Sequence, residues 1–247
     1  MMKNIQLMLF VLFLAISQSA RGQFAGAQQN KATEPKHLAT ARWLVAHLDL
    51  HNTGYEHGAG TVKFTSPCIS RTDCSGFADA LLTHCYGYDA DQFRQWFGSG
   101  RPTARRYHDA IEQQRGFTRI KHVRDVLPGD FLAVKYLTRN DNTGHVMLAA
   151  DRPAKILPMA PLVPGTEQWK VVVIDSSQSG HGPTDTRHKK GADGKDHDGL
   201  GEGVLRVYTN SRGSIVGFAW STLAASKYKD PNDEDLVIGR LQIESEK

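Results

Sequence analysis

The spacing of apolar residues predicts helices in the first half of the chain. In residues 37–50, Ala41, Leu44, Val45 and Leu48 recur at the three- and four-residue intervals of a helix that is buried on one side. The same rule predicts three further helices: residues 73–86, a short turn of helix over residues 91–97, and residues 103–114. Residues 52–60 are rich in Gly and Asn, which predicts a loop.

After Gly116 the pattern changes to that of strands. Residues 131–136 and 144–150 alternate, and residues 170–174 form a β-branched run that is typical of a buried strand. Other strands are predicted at residues 117–120, 204–208, 215–220 and 236–243, with a turn at 127–130 and a loop at 180–203. Helices followed by antiparallel strands predict a single α+β domain over residues 37–247.

The N-terminal residues have the pattern of a secretory signal peptide. Lys3 precedes an almost wholly apolar run at residues 5–16, and Ala20-Arg21-Gly22 places small residues where a signal peptidase cleaves. The apolar run is too short for the ~20 residues that a transmembrane helix needs. We therefore expect cleavage of residues 1–22, a polar and mobile leader over residues 23–36, and a secreted or periplasmic protein that does not associate with a membrane.

Composition and charge narrow the class of partner. Hydrophobic residues make up 40% and charged residues 23%, which is ordinary for a globular domain. The net charge of +4 suits an anionic partner such as a cell wall. The basic runs at residues 101–106 and 119–124 are interpreted as solvated faces, because no nucleic-acid-binding motif accompanies them. We expect a monomer with no nucleic-acid partner.

The three cysteines are too few for a disulfide scaffold, and their odd number leaves at least one free thiol. Cys85 is predicted three turns inside the second helix, where nothing activates it. It is either a core residue or the partner of Cys68. A Cys68–Cys85 bridge would leave Cys74 as the free thiol.

Residues 72–77, Thr-Asp-Cys-Ser-Gly-Phe, contain the candidate nucleophile. Thr72 or Asp73 is a natural N-cap, which places Cys74 in the first turn of the helix that follows. Unpaired backbone N–H groups and the helix dipole favour a thiolate there, and these groups can also stabilise an oxyanion. Asp73 and Ser75 are therefore assigned to the oxyanion and substrate side of the site. The alternative is that Cys74 is a small buried residue or half of a disulfide.

A catalytic thiolate needs an imidazole that is oriented by a third polar group. His145 follows Gly144 at the start of a predicted core strand, so its ring would lie at the strand end. Asp175 follows the buried 170–174 run and is the candidate that orients His145. His181 is the alternative for this third position, and a purely structural role remains open for both His145 and Asp175.

These residues resemble three motifs of the NlpC-type cell-wall cysteine peptidases, a family of the papain-like superfamily. Residues 73–77 match the nucleophile motif, residues 127–132 the turn before the first core strand, and residues 144–148 the histidine strand. The three motifs occur in the family's order, and residues 103–107, in the helix between the first two, are also similar. The resemblance covers residues 55–180.

The resemblance implies a papain-like α+β fold, with N-terminal helices packed on a central antiparallel sheet, and attack on an amide without a metal or other cofactor. The family's usual substrate is the peptide stem of peptidoglycan, whereas the related cysteine-histidine amidohydrolase/peptidase group cleaves the sugar–peptide amide or the cross-bridge. The family's tyrosine near the nucleophile falls on Tyr55. Its third catalytic position is most often His, whereas the candidate here is Asp175.

The segment of residues 181–198 is rich in His and Asp and offers a second chemistry. Its alternating acids are similar to a calcium loop, but the motif is incomplete, and Lys189, Lys190 and Lys195 oppose a cation. We interpret the segment as a solvated loop, with a metal site as the alternative. Arg187 is a candidate contact for a substrate carboxylate.

Three functions are consistent with these features. The leading hypothesis is an exported thiol hydrolase that cleaves a peptide or amide bond, with Cys74 as nucleophile, His145 as base and Asp175 as the orienting residue. The first alternative is a binding module for cell wall or another ligand that keeps the fold without catalysis. The second is a metal-dependent hydrolase that uses the 181–198 segment.

Overall fold

Four helices precede most of the strands in the computed structural model, which describes residues 34–58, 60–139, 143–188 and 194–243. They are α1 (Lys36–His47), α2 (Cys74–Tyr86), α3 (Ala90–Phe97) and α4 (Ala104–Glu112). All four helices were predicted, within a few residues at each end. The predicted signal peptide, and the leader as far as residue 33, lie outside the described residues. Within the described ranges, no helix is long and apolar enough to cross a membrane.

A small sheet lies directly before α2 in the chain. Its strands are β1 (Thr53–Gly54), β2 (Thr61–Lys63) and β3 (Ile69–Arg71), with β3 in the middle. β1 pairs with β3 in parallel, and β2 pairs with β3 in antiparallel orientation. The prediction of a loop over residues 52–60 is therefore wrong at β1. A two-residue strand has no periodicity of its own, so only its pairing with β3 defines it.

A large antiparallel sheet of eight strands forms the centre of the fold. Its strands are β4 (Phe117–Ile120), β5 (Phe131–Tyr136), β6 (Gly144–Ala149), β7 (Ala154–Ile156), β8 (Glu167–Ser177), β9 (Gly199–Thr209), β10 (Ile215–Ala219) and β11 (Glu234–Leu241). The strand order is β10-β9-β8-β6-β5-β11-β4, with β7 paired to β8. The protein is therefore an α+β protein, as predicted.

The predicted loop over residues 180–203 is wrong at its C-terminal end, because β9 begins at Gly199. Three glycines in five residues suggest a loop, but Gly201 and Gly203 pair with β8 across the sheet. A Cβ at Gly201 would lie 2.7 Å from Cγ of Arg187. Glycine is thus needed here because buried side chains approach the strand backbone closely.

The core has two layers, one on each face of the large sheet. Phe131, Val146 and Leu148 contact the helices, whereas their neighbours Leu132 and Met147 belong to a second cluster on the opposite face. Both faces of β5 and β6 are therefore buried. α2 packs on β6 and β8, so the start of α2 meets the strands that carry His145 and Asp175.

Candidate active site

Cys74 is the first residue of α2, and Asp73 is the N-cap. The Asp73 carboxylate accepts hydrogen bonds from the backbone N–H of Gly76, at 2.8 Å, and from the Ser75 hydroxyl, at 3.1 Å. The Asp73 and Ser75 side chains thus cap the helix instead of lining the cleft described below. The predicted placement of Cys74 in the first helical turn is confirmed.

The turn that carries Cys74 is held against the end of β8. The hydroxyl of Ser176 donates a 2.6 Å hydrogen bond to the backbone carbonyl of Thr72. A Cβ at Gly76 would lie 2.1 Å from Oγ1 of Thr72, so the helix start requires glycine at this position. These contacts fix the nucleophile relative to β8, the strand that carries Asp175.

His145 is the second residue of β6 and lies opposite Val134 of β5. Its side chain hydrogen-bonds with the Cys74 side chain and, through Nε2, with the Asp175 carboxylate. Because Nε2 is engaged by Asp175, Nδ1 is the ring nitrogen that remains for Cys74. Gly144 precedes it at φ +140°, where a Cβ would lie 1.9 Å from the carbonyl oxygen of Val134.

The pKa of His145 reflects its position between two acidic groups. Burial by itself lowers the pKa, but the Cys74 sulfur and the hydrogen bond to Asp175 outweigh burial and raise the pKa from 6.5 to about 10. The imidazole is therefore held in its protonated form near neutral pH. A protonated imidazole beside a sulfur is the arrangement of a thiolate–imidazolium pair.

Asp175 is buried and accepts hydrogen bonds from three side chains. They come from Nε2 of His145, Nε2 of His181 at 2.8 Å and Nη2 of Arg187. Burial alone would raise the pKa of Asp175, but the nearby charges of Arg187 and His181 hold the pKa well below its usual range. Asp175 is thus an ionised carboxylate that can orient His145.

His181 is a second partner of Asp175. Both imidazoles contact the same oxygen, Oδ2, and the rings of His145 and His181 lie 6.0 Å apart. Nδ1 of His181 is 3.2 Å from the backbone carbonyl of Trp220, and its ring stacks on the Trp220 indole at 5.7 Å. In this arrangement Asp175 takes the orienting position beside His145, and His181 supports Asp175 from the other side.

Arg187 is not available to a substrate, so its predicted contact with a substrate carboxylate is wrong. Its side chain is 1% exposed, and its guanidinium donates to the Asp175 and Asp185 carboxylates and to the backbone carbonyl of Gly199. A buried guanidinium must find acceptors inside the protein, and these residues supply them. Arg187 is an internal counter-ion of the site.

A cleft of about 280 Å³ opens beside His145. Its lining residues are Tyr55, Tyr136, Arg139, His145, Ser177, Gln178, Ser179, Gly180, His181 and Trp220. Cys74, which is 5% exposed, adjoins the cleft through its contact with His145. Tyr55 lines the cleft, and burial together with the nearby Cys74 and Asp73 raises the pKa of its hydroxyl.

Two groups of donor atoms among the described residues are close enough to share a metal ion. One consists of His145, Asp175 and His181, and the other of His108, Glu112 and Asp235. The segment proposed as a metal loop, residues 181–198, contributes only His181 to these groups. Within that segment, residues 189–193 lie outside the described part of the chain.

The three cysteines are free thiols. Cys85 is half-buried and donates to the Thr40 hydroxyl at 3.4 Å, and burial raises the pKa of its thiol. Cys68 is buried in the helix-side core. In this structure the disulfide between Cys68 and Cys85 is not formed, and Cys74 is the cysteine that contacts a histidine.

Several residues of the site were missed by the sequence analysis. Trp220 was only the end of a predicted strand, Asp185 was one acid among many, and Tyr136 and Arg139 had no motif around them. Ser176 likewise had no motif around it. No local signal marks these residues, because β6, β8 and β10 are brought together only by sheet pairing.

Comparison with known proteins adds one relative. No family model matches the chain, and no solved structure is significantly similar to it. The chain is 36% identical over 226 residues to a protein of Acanthamoeba polyphaga mimivirus named uncharacterized protein R653, and the match covers 85% of this chain and 98% of the relative. Because the match spans nearly the whole relative at this identity, the chain belongs to the same family as the mimivirus protein.

Proposed function

We propose that the protein is a cysteine hydrolase that cleaves a peptide or amide bond. The observation that carries this proposal is the hydrogen-bonded series Cys74–His145–Asp175 at the start of a helix and beside an open cleft. Each of the three groups has the environment that its role needs. Cys74 faces a protonated imidazole, His145 has an oriented ring, and Asp175 is ionised.

The reaction follows from these positions. The Cys74 thiolate attacks the amide carbonyl carbon, and the carbonyl π electrons move to the oxygen. The backbone N–H groups of Cys74 and Ser75, the first two residues of α2, have no helical acceptor and can stabilise this oxyanion. His145 then gives its proton to the amine nitrogen as the C–N bond breaks. Water, deprotonated by His145, hydrolyses the thioester and restores the thiolate–imidazolium pair.

We further propose that the fold is papain-like and that the substrate is a peptide stem of peptidoglycan. The support is the resemblance to NlpC-type peptidases, together with a nucleophile at a helix start and a histidine at a strand start. Peptidoglycan as substrate agrees with the expected secreted or periplasmic location. We also propose that the protein acts as a monomer.

A second candidate is metal-dependent hydrolysis at the same place. It is favoured by the three donor atoms of His145, Asp175 and His181, which lie within 4.8 Å of one another. Two inhibitors, EDTA and iodoacetamide, distinguish the two functions. Loss of activity with EDTA but not with iodoacetamide would favour the metal, whereas the opposite result is expected for a thiol hydrolase.

The deciding experiment is digestion of purified peptidoglycan, with the released fragments identified by mass spectrometry. The wild-type protein and Cys85→Ala should release the same new fragments, whereas Cys74→Ala should release none. Cys85→Ala is the matched control because Cys85 is a free thiol on the same helix without a histidine partner. Identical fragments from the wild type and Cys74→Ala would show that Cys74 is not the nucleophile.

A further inference from the structure

The charges on the cleft walls are uneven. Among the described residues that line the cleft, Arg139 is the one Lys or Arg, and none is Asp or Glu. The other walls are aromatic rings, two imidazoles, and Ser, Gln and Gly residues. An anionic group of a ligand would therefore meet a guanidinium and no carboxylate.

Arg139 is placed to face solvent from the cleft wall. Its side chain is 51% exposed, and its Cζ lies 4.9 Å from the centre of the Tyr136 ring. Among the described acidic residues, Glu234 forms an ion pair with Arg139, with Oε1 3.6 Å from Nη2, which is longer than a hydrogen bond. The ring of Tyr136 supports the guanidinium plane without using its N–H donors.

Glu234 has other partners. Its Oε1 accepts a 2.7 Å hydrogen bond from Nζ of Lys229, and its Oε2 accepts one from Nε1 of Trp220 at 3.2 Å. Two cations, Lys229 and Arg139, thus flank the single carboxylate of Glu234, which leaves one net positive charge at this wall of the cleft.

His145 lies on β6, and Arg139 lies just beyond the C-terminal end of the neighbouring strand β5. Val134 of β5 lies opposite His145 of β6, and the N–H of Tyr136 is 3.4 Å from the carbonyl oxygen of Thr143. Arg139 follows three residues after Tyr136 and lines the same cleft as His145. A substrate that contacts His145 therefore lies in a cleft whose wall carries Arg139.

We propose that Arg139 is a specificity-determining residue that binds a carboxylate of the substrate close to the scissile amide. This inference rests on the proposed function of Cys74. The preferred substrates are acidic peptides or amides with a free carboxylate, because a guanidinium binds a carboxylate through two parallel hydrogen bonds. Arg187 does not compete for this role, because it is buried against Asp175 and Asp185.

The first test uses two alkylating reagents that differ in charge. Iodoacetate carries a carboxylate, and iodoacetamide is neutral. The rate of Cys74 alkylation by iodoacetate divided by the rate with iodoacetamide therefore reports how strongly the cleft attracts an anion. Arg139→Gln should lower this ratio about three- to fivefold, the effect of losing one half-exposed charge pair. Mass spectrometry of peptides separates labelling at Cys74 from labelling at Cys68 and Cys85.

The matched control is Arg212→Gln. Arg212 lies in the turn between β9 and β10, at the opposite end of these strands from Trp220, and its removal changes the net charge by the same amount. The ratio should stay at the wild-type value in this variant. Arg139→Lys should restore part of the ratio that Arg139→Gln loses. Lysine returns the positive charge but lacks the planar guanidinium, which can donate two parallel hydrogen bonds. Thermal melting checks that the variants are folded.

The second test compares peptide substrates that end in a carboxylate or in a carboxamide. The wild type should prefer the acid, and Arg139→Gln should raise KM for the acid about tenfold while leaving kcat and the amide substrate nearly unchanged. An unchanged alkylation ratio and unchanged KM in Arg139→Gln, with Cys74 labelled normally, would overturn the role of Arg139 alone. A wild-type Cys74 that neither reagent labels would overturn the proposed function and this inference together.

Discussion

Two buried carboxylates, Asp175 of β8 and Asp79 of α2, have opposite environments. Asp175 faces Arg187 and two imidazoles, which keep its pKa well below the usual range. Asp79, five residues after Cys74 on α2, accepts one 2.7 Å hydrogen bond from Tyr107, and among the described residues no donor reaches its Oδ2. Burial therefore raises the pKa of Asp79 to about 7.

The comparison shows that burial alone does not decide the charge of a carboxyl group. Both groups are at least nine-tenths buried, yet one is held as an anion and the other is half protonated near neutral pH. The difference is the set of partners, above all the guanidinium of Arg187. Asp175 can therefore orient a protonated His145, whereas no cation among the described residues is hydrogen-bonded to Asp79.

The largest expected effect is that of Asp175→Asn on catalysis. The amide leaves the shape of the site unchanged but removes the charge that orients and stabilises the His145 imidazolium. We expect kcat/KM to fall about 10³- to 10⁴-fold in steady-state assays. Asp79→Asn, the same change at the other buried carboxylate, should alter kcat/KM by less than about threefold. Similar losses in both variants would contradict the separate roles.

Removal of the Arg187 guanidinium should leave Asp175 in an environment like that of Asp79, buried and without a guanidinium partner. In Arg187→Met, Asp175 and Asp185 stay buried without their cation, and we expect the free energy of unfolding to fall by about 3–5 kcal/mol. Urea denaturation followed by circular dichroism measures this loss. The exposed Arg212 supplies the control, because Arg212→Met should change stability by less than about 0.5 kcal/mol.

Asp79→Asn should stabilise the protein at alkaline pH. The folded-state pKa of Asp79, about 7, lies above the unfolded value of 3.8, so the stabilising contribution of the neutral carboxyl is full below pH 3.8 and is lost as the pH rises through 7. Asparagine stays neutral, so we expect a gain of about 4 kcal/mol at pH 8 and none at pH 3.5. Urea denaturation at both pH values tests the sign, and a loss at pH 8 would contradict the assignment.

The smallest expected effect comes from His181, the second imidazole on Asp175. His181→Phe keeps a ring against Trp220 and removes the hydrogen bond to Asp175, so we expect kcat/KM to fall about tenfold. If His181 acts through Asp175, the double variant with Asp175→Asn should be no slower than Asp175→Asn alone. Additive losses would show that His181 acts on the substrate directly.

The local features of the site were predictable from the sequence. Asp73 is a residue type that is common at the N-cap of a helix. Apolar residues recur along α2 at intervals of four and seven residues, which predicts its buried face and places Cys74 in its first turn. The glycine before His145 likewise predicted the start of a buried strand. The β-branched run before Asp175 predicted a second buried strand, but this strand continues past Asp175 to Ser177. These signals are contained within segments of about ten residues, so a single sequence suffices to detect them.

The partners of Asp175 were decided by the tertiary structure alone. Arg187 had the sequence context of an exposed loop residue, and only the packing of its segment on β9 buries it against Asp175 and Gly201. The placement of Arg139 and Trp220 in the same cleft as His145 likewise depends on the pairing of distant strands. Sequence patterns determine which side chain can be charged and where an element starts, whereas ionisation and access depend on neighbours that are close in space and distant along the chain.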